Sequence, residues 1–376
     1  MKSPRPWWGL LILATALVVA TRSLLPTAAR HEPLTARDSP IRSSKTTDGI
    51  ALSTPLVTKA AEKKIEADWN DLLDWLEREP RPGADEIKQR LLALREAWAE
   101  MDPIVLAEAI ARLLESRRDA PTGMAFQVGL HGFLDGWPTL RIFLLDALVA
   151  ADPDTAAATA RRLLEKTTSP DEYAVALRSL TRNGFSRAPD TELQEHFRVL
   201  LGKPEWQASG GFAESLDLAR SVGTEAIADD LMHWNGNPEL KSMALHEFAA
   251  EHPKTLLEPL RSETEIPPSL RATLMARMDP QFPDQVVAVD EYLRDPAITN
   301  DEAAVFLKAF PLRSATTGPR LYGRSPAPYD MDQIAAGDRA AIKLVDGWLV
   351  DPTLQTIRPE LLALQKRLGE WVEQTK

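Results

Sequence analysis

An all-α fold, an α-solenoid of antiparallel helix pairs, is what this 376-residue sequence predicts. Three observations carry the prediction. Apolar residues recur at three- and four-residue steps along most of the chain, and sustained period-two alternation is absent. Glycine is scarce at 18 and proline plentiful at 29, a balance that suits helices with sharp ends better than glycine-turned strands. Asp-Pro and its analogues recur as helix punctuation. An irregular multi-helix bundle is the alternative architecture. With 44% hydrophobic and 26% charged residues the chain reads as folded rather than disordered.

The first 25 residues stand apart. Lys2 and Arg5 precede an uncharged, almost wholly apolar run of fourteen residues, Trp7 to Ala20. That run has the length of an export-signal core and falls short of the roughly 20 residues that cross a ~30 Å hydrocarbon layer. Residues 1–25 are therefore expected to be a signal peptide, cleaved after Ala20 or near Ala28-Ala29, or a single anchor helix with Arg22 snorkelling. Either way the chain is expected to be exported to the periplasm or cell envelope, and residues 7–25 are its only expected membrane contact. Residues 26–55 are rich in Ser, Thr, Pro and Arg with scattered apolar positions. Such a segment buries too little surface to offset backbone ordering, and is expected to be a linker.

From residue 56 the helical period takes over. Ile65, Trp69, Leu72 and Leu76 form one apolar stripe, and Ile87, Leu91, Leu94, Trp98 and Met101 the next. Both stripes are expected to face a core rather than a ligand. The lysines and acids of residues 59–79 suit a terminal unit with a polar outer face. Residues 140–149 (LRIFLLDALV) are apolar nearly all round, as a helix covered on both sides must be. Asp-Pro at 102–103, 152–153, 279–280, 295–296 and 351–352, with Ser169-Pro170 and Asn237-Pro238, places a capping side chain before a proline at the first helical position. The residue before proline resists helical geometry, so each dipeptide is expected to end one helix and begin the next. Short turns make consecutive helices neighbours.

Residues 94–115 can be laid on 144–165 at an offset of fifty, with nine of twenty-two positions identical, including Asp102/Asp152, Pro103/Pro153, Ala107/Ala157 and the Arg-Leu-Leu-Glu endings. Ala276-Arg-Met-Asp-Pro280 and Phe248-Ala-Ala-Glu-His-Pro253 echo the same unit. On these residues the chain resembles HEAT-like α-solenoid proteins. It is most similar to bacterial helical-repeat proteins whose units read Trp-Ala-x-x-Asp-Pro-x-x-x-Ala, matched here by Trp98-Ala99-Glu100-Met101-Asp102-Pro103 and Ala107. The resemblance covers residues 56–310 in architecture and implies a fold with no catalytic residues. Gly129, Gly132 and Gly136 are read as sites of close helix packing, with a break in the helix as the alternative and a pocket beside His131 and Trp137 as a further reading.

Residues 311–330 (PLRSATTGPRLYGRSPAPYD) break the rhythm. Four prolines forbid a continuous helix there. Arg313, Arg320, Tyr322, Arg324 and Tyr329 stand together with no acid before Asp330, an outlier in a chain of net charge −11. Arginine and tyrosine anchor interfaces, so these five are the candidate binding residues, for an acidic protein surface, an anionic glycan or a second copy of the chain. The competing expectation is a loop whose arginines pair with the protein's own carboxylates. Asp330 then suits the start of a helix over 331–350, ended by Asp351-Pro352, and Leu361, Leu364, Leu368 and Trp371 mark a last helix packed on the repeats.

Chemistry is sparse. The chain has no cysteine, which removes disulfides, thiol nucleophiles and thiolate-bound metals. No nucleophile elbow, phosphate loop or dinucleotide fingerprint is present, and no cofactor or metal is expected. His246-Glu247 begins like a zinc helix, but the next histidine, His252, sits six residues on and faces elsewhere. Glu214-Ser215 resembles the acid of lytic transglycosylases, yet the expected downstream Gly-Leu-Met-Gln is missing, so Glu214 is read as a solvated helix residue. Surplus negative charge disfavours nucleic acid. The expected function is a non-enzymatic scaffold that binds another protein. The alternatives are an envelope enzyme acting on polysaccharide or peptidoglycan through carboxylates in a helical groove, and a purely structural module.

Overall fold

The computed structural model describes residues 55–181, 187–262, 266–313, 321–322 and 330–374, with backbone only at 55–58 and 261–262. They belong to the second of the chain's two units, Ser53–Lys376. The leader and all of the linker but Pro55 lie outside these residues. No helix among the described residues is long and apolar enough to cross a membrane.

The fold is all-α. The first helices are α1 (Pro55–Leu76), α2 (Ala84–Ala99), α3 (Pro103–Glu115), α4 (Leu140–Ala151), α5 (Pro153–Leu164) and α6 (Pro170–Thr181). The middle of the chain holds α7 (Asp190–Leu201), α8 (Gly210–Ser215), α9 (Asp217–Val222), α10 (Glu225–Met232) and α11 (Pro238–Glu251). Then come α12 (Pro253–Ser262), α13 (Pro268–Met275), α14 (Pro283–Arg294), α15 (Asn300–Ala309), α16 (Met331–Val350) and α17 (Arg358–Gln374). Contacts run chiefly from each helix to the next and the next but one. One row is α1, α3 and α5; another is α2, α4, α6 and α8; a third is α7, α9, α11, α13, α15 and α17. Such a stack buries each helix against its sequence neighbours, so the core is a continuous ribbon from Ile65 to Leu368.

The stripes behave as their spacing requires. Ile65, Trp69, Leu72 and Leu76 of α1 are buried, as are Ile87, Leu91 and Trp98 of α2. Every side chain from Leu140 to Val149 is buried in α4. The α2–α3 and α4–α5 pairs correspond as the offset of fifty requires: Asp102 caps α3, accepting from the Ile104 and Val105 amides, and Asp152 caps α5, accepting from Thr155. Asn237 caps α11 and Asp330 caps α16 in the same way, and Ser169 Oγ accepts from Glu172 at the start of α6. Asp351 caps a 3-10 turn over Pro352–Ile357.

Two of the proline signals start no helix, although Asp295 does end α14. After Asp279-Pro280 and Asp295-Pro296 the chain makes a turn, and the helices begin later, at Pro283 and Asn300. Asp279 accepts from the Gln281 amide at 2.9 Å and Asp295 from Ala297 at 2.8 Å, so each aspartate closes a turn on its own backbone instead of capping. Phe282-Pro283 and Thr299 take over, Thr299 Oγ1 accepting from the Glu302 amide at 3.2 Å.

The glycine segment breaks the helix and does not serve helix packing. It is a β-hairpin, not a helix: β1 (Gln127–Val128) pairs antiparallel with β2 (Leu134–Gly136). His131 and Gly132 turn the corner with φ of 57° and 73°. A side chain at Gly136 would bring a Cβ within 2.5 Å of the Ala125 carbonyl oxygen, so the close approach is between β2 and the chain just before β1. The flanking chain pairs as well, Pro121 with Thr139. Trp137 is fully buried, edge-on to Phe143.

The hairpin explains the irregular repeat. Later helices of one row begin at 238, 268 and 300, a step of about thirty residues. Four arginines each bind a glutamate thirty-one positions on, always from one helix to the next but one: Arg141–Glu172, Arg161–Glu192, Arg220–Glu251 and Arg271–Glu302. The offset of fifty is this step lengthened by the residues that form the hairpin between α3 and α4.

Candidate functional site

The two described members of the predicted contact set lie on different parts of the stack. The Leu312 amide donates to the Ala276 carbonyl at 2.7 Å, which seats the chain at the end of α13. Arg313 then turns onto α16: its Nη1 donates to the Ile334 carbonyl at 2.5 Å and pairs with Asp338, at 2.9 Å. Gly337 makes room for it, because a Cβ there would stand 2.4 Å from Arg313 Nη2. Burial raises the Asp338 carboxyl above its ordinary value, and Arg313 opposes that rise.

Tyr322 lies on the groove formed by α6, α8 and α9, and both it and Leu321 are buried. Its hydroxyl donates to the Ala174 carbonyl at 3.0 Å and lies 3.2 Å from Ser215 Oγ. Its amide donates to Asp217 Oδ2 at 3.0 Å, and Ser221 Oγ donates to its carbonyl at 3.4 Å. The groove thus holds a side chain and both polar groups of one backbone residue. Burial raises the Tyr322 hydroxyl pKa far above the usual tyrosine range. Behind it, Asp217 accepts from Arg220 Nε at 2.6 Å, and Arg220 Nη1 reaches Glu251 at 2.8 Å. Arg320, Arg324 and Tyr329 lie outside the described residues.

Beside the groove sits a second polar group. Glu214 is half-buried in α8, not solvated as its sequence neighbourhood suggested. Burial, then the charges of Asp217 and Glu247, push its carboxyl up to about 7. On α11, His246 Nδ1 accepts from Arg277 Nε at 3.3 Å, so Nε2 carries the hydrogen and faces the Thr273 hydroxyl at 3.2 Å. Burial, then Arg277, lowers the His246 pKa to about 4. His252 turns away and binds the Arg220 carbonyl. Among the described residues no three His, Asp or Glu side chains converge as a metal site.

The Glu214 environment has a measurable consequence. Its folded pKa lies above the ordinary 4.5, so the native state holds the proton more tightly. That contribution is complete below pH 4.5 and is lost as pH rises through 7. Glu214→Gln, which stays neutral, should match the native chain at pH 4 and exceed its stability at pH 8 by about 1–2 kcal/mol, allowing for partial exposure. Thermal unfolding at both pH values checks this; a variant equally altered at both would contradict the burial of the charge.

Asp217 and Ser221 carry no signal in the sequence, and Ser215 enters it only beside Glu214. No local motif marks them, because their partner is about a hundred residues downstream. No protein-family model, curated protein or solved structure matches the chain, and the functional reading rests on its own residues.

Proposed function

We propose that the chain is an exported helical-repeat scaffold that binds another protein, using the α6–α8–α9 groove to hold an extended, tyrosine-bearing segment. The observation that supports this reading is the manner in which the groove takes Leu321-Tyr322. A tyrosine ring is enclosed, its hydroxyl reaches a carbonyl and a serine, and its own amide and carbonyl meet Asp217 and Ser221. Main-chain capture with one side-chain pocket is how extended peptides are recognised. The stacked helices supply the long surface on which such a segment lies. Placement in the envelope rests on the apolar leader after Lys2 and Arg5.

The test uses the chain itself. Tyr322→Ala empties the groove, and a labelled peptide of residues Thr316–Pro328 is then titrated in trans. The peptide should bind Tyr322→Ala at least tenfold more tightly than the native chain, with helical circular dichroism preserved. Equal binding to both, or binding to neither, overturns the reading.

The raised Glu214 carboxyl favours a second reading, an envelope hydrolase or lyase with Glu214 as proton donor. Release of soluble fragments from peptidoglycan by the native chain, lost in Glu214→Gln, is its expected signature. No release by the native chain removes it.

A further inference from the structure

A cavity of about 450 Å3 opens where the ends of α3 and α5 meet the start of α6, and none of its lining residues touches Tyr322. That volume lies in the range of small-molecule sites. Its charge runs against the molecule's. Arg117, Arg141, Arg162 and Lys166 line it against Glu115 and Glu172, a local balance of +2 in a chain of −11. The acids are engaged: Glu172 is bound by Arg141 Nε, and Glu115 lies 3.4 Å from Arg162. Arg141 is itself held inside, with Nη1 donating to the Leu114 carbonyl at 2.6 Å, and serves as a fixed wall. Leu114 and Leu163 add apolar lining.

Arg117 is the telling residue. It follows the C-cap of α3 with φ of 57°, the left-handed conformation that glycine adopts without cost at this place in a helix end. A β-carbon there is strained, and residues held in such conformations cluster at ligand clamps. The strain sets a guanidinium beside the cavity where a glycine would serve the fold better. Arg117 and Lys166 are both exposed and make no ion pair among the described residues.

We propose that this cavity binds a small molecule through a phosphate group, with Arg117 and Lys166 as the anion contacts and the Arg141–Glu172 and Arg162–Glu115 pairs holding the walls. Two unpaired cations beside a cavity that also has apolar lining suit a phosphate ester with an uncharged body. Arginine contributes a planar fork for two phosphate oxygens and lysine a point charge.

The probes are glucose 6-phosphate, glucose and citrate, titrated calorimetrically into the full chain at low salt. Glucose 6-phosphate should bind and glucose should not. Arg117→Gly should weaken binding at least tenfold while leaving the melting temperature equal or higher, since glycine relieves the left-handed strain. Lys166→Gln should weaken binding independently of any change in stability. Failure of glucose 6-phosphate to bind, unchanged affinity in Arg117→Gly, or citrate binding as tightly as the phosphate ester would each overturn the proposal. None of these outcomes bears on the peptide groove.

Discussion

Asp146→Ala should destabilise the chain by about 3–5 kcal/mol, the cost of stranding one half of a buried ion pair. Asp146 is 2% exposed and does three things at once. It accepts from the Leu134 amide at 3.2 Å, from Trp137 Nε1 at 3.1 Å and from Arg178 Nη1 at 2.7 Å. Leu134 and Trp137 belong to the hairpin region, Arg178 to α6, and Asp146 to α4 between them. Without the carboxylate, Arg178 keeps the Phe133 ring face and a single hydrogen bond, to the Gly132 carbonyl at 2.6 Å, while its Nε and Nη2 already lack hydrogen-bond partners among the described residues. An uncompensated guanidinium, fully enclosed, cannot recover its hydration. The double variant Asp146→Leu with Arg178→Met should lose less than either single change, because it removes both charges together. Urea unfolding measures all three. A loss under about 1 kcal/mol for Asp146→Ala would mean that water reaches the site and that the pair is worth no more than a surface one.

Glu302→Ala should cost about 3 kcal/mol, whereas Glu192→Ala at the equivalent place earlier in the stack should cost under about 1 kcal/mol. Both carboxylates receive an arginine thirty-one residues back, Arg271 and Arg161, with the same fork geometry. Their surroundings differ. The Glu302 side chain is 1% exposed and also accepts from the Tyr292 hydroxyl at 2.9 Å. Glu192 and Arg161 are 30% and 41% exposed, where solvent screens the attraction. Loss of Glu302 leaves Arg271 and a buried tyrosine hydroxyl without their acceptor. Loss of Glu192 returns Arg161 to water. Equal costs at the two positions would show that spacing, rather than burial, decides the strength of the pair.

What was readable in advance followed from local rules. The stripes at Ile65 and Ile87, the caps at Asp102, Asp152, Asn237 and Asp330, and the helix over 331–350 are short-range consequences of side-chain period and proline chemistry. They appear where those rules put them. The hairpin was hidden because its strands are only two and three residues long, too short for alternation to register, while glycine spacing can serve helices and turns alike. Asp279 and Asp295 misled because an aspartate before proline can close a turn on its own backbone as readily as cap a helix. The repeat step was present in the sequence as arginine followed by glutamate thirty-one positions later, but that pairing gains meaning only once alternate helices are seen to touch. Of the Tyr322 groove only Tyr322 itself stood out, since the residues that hold it come from α6, α8 and α9, about a hundred positions or more upstream.

The Tyr322 clasp also changes how the molecule bears load. Elsewhere each helix leans on its near neighbours, so a chain stretched from its ends could pay out one turn after another, like a zip. Tyr322 instead ties a late residue to Ala174, Ser215 and Asp217, closing a ring that holds α10 to α15. Tension drawn across that ring falls on these hydrogen bonds before any enclosed helix is strained, and those helices lengthen only after the knot slips.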